Sequence, residues 1–325
     1  MFVTGCSGLL GSWLCRALWD LGARVRGLAH GRPPAGGAFD RFDLAERIGL
    51  VVGDVTDAAL LDRAMADLGG GCVFHLAAQS QVPAARRDPG ATFETNVRGT
   101  WLVLEAARRG PTPAAVVLAS SVAVYSDQRG QPHEEGEPLP AVASPYAASK
   151  ACAELIGLSC HRAVGLPVGV ARCSNLYGGG DTNMGRIVPG AIRAMLKGEP
   201  PVIRSDGRAR RDYLYVEDAV RGYLALAEAM ERPGVVGQIF NFGSGQVVSV
   251  LELVEMVLHL GGCDHLTPLV LGESSDEVPV SPVSAIRARR VLGWTPDVPL
   301  EVGLTATIDW HRTTAARARP ALQAQ

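Results

Sequence analysis

The sequence contains no run of about 18 consecutive apolar residues, the length that a membrane-spanning helix requires. It also lacks an excess of either charge, since 31 Lys and Arg residues stand against 33 Asp and Glu residues. A balanced charge of this kind gives no reason to expect a nucleic acid or an anionic membrane as a partner. A signal peptide is not expected either, because the first residues already form a glycine-rich turn.

The seven cysteines form no Cys-x-x-Cys pair and no regular framework. Most of them lie inside apolar runs, where a reduced cysteine packs as a small hydrophobic side chain. We therefore predict no metal site, and a reducing, cytoplasmic location fits best. Hydrophobic residues make up 47% of the 325 residues, which allows a large core in one domain or two coupled ones.

Short apolar runs alternate with amphipathic patterns in the first part of the chain. The predicted strands are residues 2–4, 25–29, 50–53, 72–76, 115–119 and 168–172, and the predicted helices between them are residues 11–21, 57–68, 91–109 and 145–164. This alternation predicts an α/β fold with a parallel sheet that helices cover on both faces.

The pattern changes after about residue 176. The predicted elements there are helices at residues 184–197, 216–230 and 249–260, a strand at 238–242, and a polar, irregular segment at 200–211. The proline-rich residues 278–299 are expected to end the folded part, and the last ten residues are expected to fray.

Gly5, Gly8 and Gly11 stand between the first predicted strand and the first predicted helix. Glycines at this spacing permit a tight turn, close approach of backbone N–H groups to a pyrophosphate, and close packing of the helix on the strand. The N-terminus of the helix then favours the anion. The pattern indicates a doubly wound Rossmann sheet that binds a dinucleotide.

The ends of the second and third strands bear on which dinucleotide is bound. NAD is usually held by an acid at the end of the second strand, but residues 29–32 contain none. His30 or Arg32 could face the 2′-phosphate of NADP, although a solvent-exposed loop arginine is equally common. Asp54, which precedes Val55, either reaches the adenine amine or caps the next helix. NAD is the predicted cofactor, and NADP stays open.

Tyr146 and Lys150 share one face of a predicted helix, because residues four apart stack on a helix. Ser144 is a good N-cap and Pro145 suits the first helical position, so the helix begins where the Tyr is needed. An ammonium beside a phenol lowers the phenol pKa from about 10. The Tyr can then take a proton from a substrate hydroxyl while a nicotinamide takes the hydride.

Further motifs follow the glycine turn in order along nearly the whole chain. They are FHLAAQ at 74–79, N-V-x-G-T at 96–100, S-S-x-x-x-Y at 120–125, Y-x-x-x-K at 146–150, NLYG at 175–178, RRDY at 210–213, NFG at 241–243 and L-G-W-x-P at 292–296. Together they resemble the extended short-chain dehydrogenase/reductase family, specifically its NAD-dependent nucleotide-sugar epimerases and dehydratases. Residues 177–181, 186–189 and 202–204 look most like CDP-glucose and GDP-mannose 4,6-dehydratase relatives.

The turn, the strand ends and the resemblance together imply a cofactor site and a site for a nucleotide-diphosphate sugar. The implied cofactor contacts are Gly5, Ser7, Gly8, Leu9, Leu10, Gly11, His30, Arg32, Asp54, Val55, Leu76, Ala77, Ala78, Gln79, Asn96, Ser120, Tyr146, Lys150 and Cys173. The implied substrate contacts are Ser80, Val82, Ser121, Val122, Tyr146, Asn175, Arg186, Ile187, Val188, Ile203, Arg204 and Arg211. The implied catalytic residues are Ser121, Tyr146 and Lys150.

By the same resemblance, Tyr146 removes the O4 proton and a 4-keto sugar is formed. A 4,6-dehydratase then needs an acid and a base, which the family carries directly after the catalytic Ser or Thr. Those two places hold Val122 and Ala123, which cannot transfer protons, so we predict a 4-epimerase. The alternatives are a 4,6-dehydratase, a 4-ketoreductase and a non-catalytic dinucleotide-sensing protein. The distant candidates for the extra acid or base of a 3- or 5-epimerase are Cys173, His133 and Glu134.

A second departure from the family pattern concerns the phosphate contacts. Many epimerases place an Arg in the stretch equivalent to residues 272–277, which contains none, so the contact would rest on Arg211 with Arg204. Plainer alternatives exist: Asn175 could form a turn, and Arg211 could pair with Asp212. Ser120 and Ser121 could likewise satisfy a strand end.

The expected domains are discontinuous. Residues 1–175 and 212–243 would form the dinucleotide-binding domain, and residues 176–211 and 244–325 the smaller α/β substrate domain. Family members pair the helices equivalent to residues 91–109 and 145–164 into a four-helix bundle, which implies a homodimer. The apolar residues consistent with such a bundle, or with the core, are Trp101, Leu102, Leu104, Ala153 and Ile156.

Overall fold

The computed structural model describes residues 1–110, 112–125, 131–139, 144–273 and 282–318. The arginine-free stretch at 272–277 falls largely outside the described residues, and the chain end from residue 319 falls wholly outside them.

The strands of the described residues form one large sheet and two small ones. In chain order they are β1 (Phe2–Thr4), β2 (Arg26–Ala29), β3 (Gly49–Val52), β4 (Cys72–His75), β5 (Ala115–Ser121), β6 (Val168–Cys173), β7 (Asn175–Tyr177), β8 (Val202–Ile203), β9 (Arg210–Tyr215), β10 (Ile239–Phe242), β11 (Val247–Ser249) and β12 (Leu269–Val270). Seven of them form a sheet in the order β3-β2-β1-β4-β5-β6-β10, in which every pairing is parallel. The predicted parallel α/β fold is confirmed.

The strand order reverses direction between β1 and β4, with β2 and β3 on one side and β5, β6 and β10 on the other. Loops that leave the carboxyl ends of the strands diverge at such a point and open a crevice, where ligands bind in this type of sheet. The glycine turn follows β1 and residues 76–79 follow β4. The two segments therefore face each other across the crevice.

Helices cover the main sheet and build a second layer beside it. In chain order they are α1 (Leu9–Asp20), α2 (Ala38–Arg41), α3 (Leu44–Arg47), α4 (Ala58–Met65), α5 (Val82–Arg87), α6 (Pro89–Phe93), α7 (Gly99–Arg109), α8 (Pro145–Val164), α9 (Ile187–Lys197), α10 (Val216–Glu228), α11 (Val250–Leu260) and α12 (Leu300–Ala318).

Helix α8 has the bounds that the sequence predicts. The Ser144 hydroxyl accepts a hydrogen bond from the Ala147 N–H at 3.2 Å, and Pro145 occupies the first helical position. Both features favour a helix start at this point. The helix ends at Gly165, whose φ of 72° is a left-handed conformation that glycine adopts without strain.

The predicted helix at 91–109 is interrupted. A π-helical turn at Glu94–Arg98 separates α6 from α7. The buried side chain of Asn96 lies within this turn and bonds to Gln79 and Ser149, which lie on two other segments. Such turns are common at functional sites because they redirect one side chain. Periodicity alone gave no sign of it.

The irregular segment predicted at 200–211 contains β8 and the start of β9. Strand β9 lies between β7 and β11 in a three-stranded sheet, and β8 pairs with β12. Strands of two or three residues are too short to show a period of two in the sequence. That is why the prediction was wrong here.

The prediction that residues 278–299 end the folded part is wrong, since α12 begins at Leu300. Its residues Leu300, Leu304 and Ile308 lie on one face and are buried against α9, α11 and β9. Further along, the Trp310 ring lies 5.7 Å from Trp13 of α1. Helix α12 therefore packs against the layer beside the sheet and against α1. Residues 282–299, the described part of the proline-rich stretch, precede it and contain a π-helical turn at Ala288–Leu292.

Leu304→Ala tests this placement of α12. Leu304 is 0% exposed, so its truncation should lower the free energy of unfolding by about 2–5 kcal/mol. Val302→Ala is the matched control, because Val302 is 57% exposed and should change stability by no more than about 0.5 kcal/mol. Urea unfolding of both variants measures the difference, and equal stabilities would contradict the packing of this helix.

Candidate active site

A cavity of about 1660 Å³ lies at the carboxyl ends of the main-sheet strands, over the point where the strand order reverses. Residues that follow β1, β3 and β4 line one part of it, and the ends of β5 and β6 line the middle. The remainder is lined by α9, β8 and β9. The cavity thus connects the glycine turn with the smaller sheets.

The predicted site residues line this cavity, with the exceptions of Arg32 and Asn96. Arg32 is exposed, and Asn96 is buried behind the segment that follows β4. The structure also brings in residues that the sequence reasoning missed: Arg86, Arg87, Thr95, Ser144, Arg193, Lys197, Tyr213 and Tyr223. Arg193 and Lys197 stand four residues apart on a predicted helix, and this basic stripe was the available signal.

The glycine turn is closely packed. A Cβ at Gly11 would lie 2.1 Å from the Gly5 carbonyl oxygen, and a Cβ at Gly5 would lie 2.9 Å from the Ala77 nitrogen. Gly5 also has a φ of 70°. Helix α1 begins directly after Gly8 with no side-chain cap and no acid in its first turn, among the residues described. Its first N–H groups and its dipole therefore fit a pyrophosphate.

Buried polar side chains hold the segment that follows β4. The Thr4 hydroxyl accepts hydrogen bonds from the N–H groups of Leu76 and Ala77, both at 3.1 Å, and lies 2.8 Å from His75 Nδ1. His75 Nε2 lies 3.0 Å from the Thr100 hydroxyl. Burial lowers the pKa of His75 to about 3, so its imidazole is neutral. These bonds fix the backbone opposite the glycine turn.

Asn96 acts on the same segment from behind. Its Oδ1 accepts from the Gln79 N–H at 2.7 Å, and its Nδ2 donates to the Gln79 carbonyl at 3.1 Å and to the Ser149 hydroxyl at 2.8 Å. A buried amide with three such bonds steadies both the segment after β4 and helix α8. It does so without lining the cavity.

At the ends of β2 and β3, His30 Nδ1 lies 3.4 Å from Asp54 Oδ2. Hydrogen bonds from the Thr56 hydroxyl and N–H lower the pKa of Asp54, and His30 lowers it further, so the carboxylate is charged. The cap of the next helix is Asp57, which accepts from the Leu60 N–H at 3.0 Å. The alternative that Asp54 caps this helix is therefore wrong.

Tyr146 lines the cavity and is hydrogen-bonded to Ser121. Burial raises its pKa, while the bond with Ser121 and the positive charge of Arg186 oppose the rise. The sequence suggested Lys150 as the charge that lowers this pKa. Instead, Lys150 Nζ donates to the Ala119 carbonyl at 2.9 Å, and Arg186 is the cation that acts on the phenol.

Arg186 is itself held in place. Its guanidinium lies 3.0 Å from the buried carboxylate of Asp181 and donates to the Ser80 hydroxyl at 3.3 Å. These contacts join the segment before α9 to the loop after β4 across the cavity. The sequence placed Arg186 at the substrate but did not indicate that Asp181 orients it.

The residues directly after Ser121 are the apolar Val122 and Ala123, which begin a 3-10 turn and line the cavity. Of the distant acid or base candidates, Cys173 lines the cavity, but burial raises its pKa to about 12 and keeps the thiol neutral. His133 is buried with Nδ1 2.8 Å from Glu137, and neither it nor Glu134 is among the described residues that line the cavity.

The residues expected at the diphosphate lie on β7, on β9 and directly after β8. Asn175 Nδ2 donates to the Asp212 carbonyl at 3.4 Å, and Arg211 Nη1 donates to the Arg210 carbonyl at 2.9 Å. The Asp212 carboxylate is buried and accepts hydrogen bonds from Ser244 and Gly245. Arg204 and Arg211 both line the cavity, which leaves this end rich in positive charge.

Two features are absent from the part of the chain that the structure describes. It contains no group of three or more His, Cys, Asp or Glu side chains placed to hold a metal ion. It also contains no helix that is long and apolar enough to cross a membrane.

Comparison with known proteins agrees with this geometry. The model of the NAD dependent epimerase/dehydratase family matches residues 1–243. A dTDP-glucose 4,6-dehydratase of Streptomyces griseus is 34% identical over 316 residues, covering 96% of this chain and 93% of the relative.

Two solved structures show the same architecture. The UDP-glucose 4-epimerase of Thermotoga maritima with UDP-glucose superposes with a TM-score of 0.87 at 27% identity, covering 97% of this chain and 99% of that one. A dTDP-glucose 4,6-dehydratase of Streptomyces venezuelae with NAD bound gives a TM-score of 0.85 at 29% identity, covering 96% of each chain.

Proposed function

Because the chain belongs to the NAD-dependent epimerase/dehydratase family, we propose that it is a nucleotide-sugar 4-epimerase that works through a transient 4-keto sugar. The observation that carries the proposal is the apolar pair Val122 and Ala123, which lines the cavity directly after Ser121. By the family resemblance, a 4,6-dehydratase has two proton-transferring side chains at these two positions. A 4-epimerase needs only room for the ketone to turn.

The chain would hold the dinucleotide at the glycine turn and the segment after β4. The pyrophosphate fits the N-terminus of α1, which the close packing of Gly11 on the Gly5 carbonyl holds against the turn. Leu76, Ala77 and Gln79 line the opposite side. When bound, NAD supplies an acceptor and donor of hydride at the sugar C4. The residues that fit it are those that the sequence predicted, apart from Arg32 and Asn96.

The proposed proton path runs through Tyr146 and Ser121, with Arg186 and Lys150 in supporting roles. Tyr146 takes the proton of the sugar 4-hydroxyl and returns it after the ketone has turned, with Ser121 bonded to the phenol throughout. Arg186 favours the phenolate electrostatically. Lys150, fixed on the Ala119 carbonyl, would hold the nicotinamide ribose. Return of the hydride to the opposite face of the ketone, together with return of this proton to O4, would complete the epimerisation.

The substrate's diphosphate would lie near Arg204 and Arg211. A guanidinium matches the paired oxygens of a pyrophosphate in a bidentate way. Arg193 and Lys197 of α9 add positive charge to the same cavity. Nothing in this set distinguishes one nucleoside from another, so the proposal covers the nucleotide-diphosphate sugars as a class.

A 4,6-dehydratase is the second candidate, favoured by the 34% identical relative that carries that name. A 4-ketoreductase would consume a reduced dinucleotide in each turnover. A non-catalytic dinucleotide sensor fits less well, because Tyr146 and Lys150 are both present at the cavity.

Incubation with UDP-, GDP-, CDP- and dTDP-hexoses, followed by chromatography and NMR of the sugars, tests the proposal. The expected product is the C4 epimer without net change in NAD. Tyr146→Phe should lower kcat by about 10²–10⁴-fold, because the proton acceptor is lost. Tyr215→Phe makes the same chemical change outside the cavity and should retain activity. A 4-keto-6-deoxy product with no epimer would identify a dehydratase instead.

We further propose NAD rather than NADP as the cofactor. The sequence predicted Asp54 at the adenine amine. Its charged carboxylate also lies 3.4 Å from His30, which follows β2 where the adenosine ribose would sit, and both residues line the cavity. A carboxylate there accepts a hydrogen bond from a ribose hydroxyl and repels a 2′-phosphate. Of the two residues that made NADP conceivable, Arg32 does not line the cavity, and His30 lies beside the Asp54 carboxylate.

Asp54→Asn should therefore shift the preference towards NADP. The ratio of the NADP and NAD dissociation constants is expected to fall about tenfold, because one repulsive charge has been removed. Asp57→Asn is the matched control, since Asp57 caps α4 and does not line the cavity. Calorimetric titration of protein stripped of nucleotide measures both ratios. An unchanged ratio in the Asp54 variant would reject this assignment.

The predicted two-domain division and homodimer also remain proposals. The pairing of β10 with β6 supports assigning residues 212–243 to the dinucleotide-binding part. An apolar group on the α6–α8 surface, consisting of Phe93, Trp101 and Leu155, is 39%, 50% and 67% exposed respectively. Helices α7 and α8 pack against each other, as a four-helix bundle would require. Leu102, Leu104 and Ala153 are buried and serve the core.

Trp101→Glu should convert a dimer into a monomer, since a charge would be buried in the apolar interface. Trp19→Glu is the control, because Trp19 is similarly exposed at 42% but lies on α1. Sedimentation velocity of both variants at micromolar concentration gives the masses. A Trp101 variant that stays dimeric, or a wild-type protein that is monomeric, would contradict the proposed interface.

A further inference from the structure

One face of α8 carries three polar residues in consecutive turns. Tyr146, Lys150 and Glu154 stand four residues apart and therefore stack along the helix. The first two belong to the proposed chemistry. Glu154 is 2% exposed and does not line the cavity. A carboxylate buried so completely needs partners that compensate its charge.

The partners of Glu154 lie on β5 and β6. Arg172 donates two hydrogen bonds to the carboxylate, from Nε at 2.7 Å and from Nη2 at 2.6 Å. The Ser120 hydroxyl donates a further short bond to the same carboxylate. Ser120 precedes Ser121 and follows Ala119, whose carbonyl holds Lys150 Nζ. Lys150 and Glu154 thus fasten one face of α8 to two consecutive residues of β5.

We propose that Glu154 is a positioning residue, whose buried carboxylate fixes the Lys150 ammonium and the Ser120–Ser121 strand end relative to one another. The catalytic consequence of this positioning rests on the proposed function, whereas the positioning itself does not. The bond to Ser120 sets the end of β5, from which Ser121 reaches Tyr146. The charge of Glu154 balances that of the ammonium one turn away.

The other groups around Lys150 leave Glu154 as its counter-charge. His75 of β4 is neutral, because burial and the Lys150 charge lower its pKa to about 3. Cys173 of β6 is neutral, with a pKa of about 12, and contacts Tyr223 of α10, whose pKa is also raised. Tyr146 has a raised pKa as well. Among the described groups that act on Lys150, Glu154 is therefore the one that offers a carboxylate, which is itself paired with the Arg172 guanidinium.

Burial lowers the pKa of Lys150 to about 8, against the opposing effect of Glu154. The ammonium is lost as the pH rises through this value, and removal of the Glu154 charge would move that loss to lower pH. A purely structural Glu154, present only to pair Arg172, would leave the Lys150 titration unchanged.

The chain contains two lysines, Lys150 and Lys197, so lysine labelled with ¹³C and ¹⁵N gives two side-chain signals. Lys197 is exposed and serves as the internal reference. In the wild-type protein, Lys150 should titrate near pH 8. In Glu154→Gln its midpoint should fall by about one pH unit, the lower end of what a nearby opposite charge produces. Glu301→Gln on the exposed side of α12 should change neither signal.

Glu154→Gln leaves Arg172 buried without a charged partner, which can cost about 3–5 kcal/mol and prevent folding. The double variant Glu154→Gln with Arg172→Met removes that cost while keeping an acceptor for Ser120. The positive charge that faces Glu154 is removed as well, so the Lys150 midpoint should still fall, but by less than in the single variant. A midpoint that stays at the wild-type value in either folded variant overturns the proposal.

The kinetic readout depends on the proposed epimerase reaction, whereas the NMR titration does not. If the protein turns over nucleotide sugars, the alkaline limb of kcat in the Glu154 variant should move down by the same one unit, about tenfold at high pH, with KM little changed. A shifted Lys150 midpoint in a protein that converts no nucleotide sugar would support the positioning of Lys150 and reject the proposed function. An unshifted midpoint with normal turnover would do the reverse.

Discussion

The site depends on how α8 is fastened to the carboxyl end of β5. Lys150 donates to the Ala119 carbonyl, Glu154 accepts from Ser120, and Tyr146 is bonded to Ser121. One helix face thereby meets three consecutive residues of one strand. Because the polar partners are buried, each bond must be satisfied for the contact to form at all. The position of the Tyr146 phenol is a consequence of these contacts between α8 and the end of β5.

The sequence predicted the parallel sheet and most of the cavity because its signals are local. The spacing of Gly5, Gly8 and Gly11 and the cap at Ser144 each act within one turn, and the structure confirms them. The elements that were missed depend on distant contacts. Asn96 in the π-helical turn is hydrogen-bonded to Gln79 and Ser149, and α12 packs against α9 and α11. The contacting residues are too far apart in the sequence for a local pattern to relate them.

The difference between local signals and distant contacts also explains why Lys150 was expected to lower the pKa of Tyr146. Four-residue spacing places Lys150 on the same helix face as Tyr146, but it does not show which group the ammonium contacts. The carbonyl of Ala119 captures it, and the cation that acts on the phenol comes instead from Arg186, forty residues later. Asp181 and Ser80 hold that guanidinium in place. Electrostatic partners are a property of the folded site, whereas helical faces are a property of the sequence.

The division between epimerase and dehydratase chemistry comes down to what surrounds a ketone. Elimination of water requires a group that can give a proton and another that can take one, and neither a methyl nor an isopropyl side chain does either. Two of the acids that line the described cavity are paired with other side chains: Asp54 with His30, and Asp181 with Arg186. The other two, Glu199 and Glu273, follow α9 and β12. The buried Cys173 thiol holds its proton. The proposed 4-epimerase reaction asks only for proton exchange at O4, which Tyr146 with its partner Ser121 would supply.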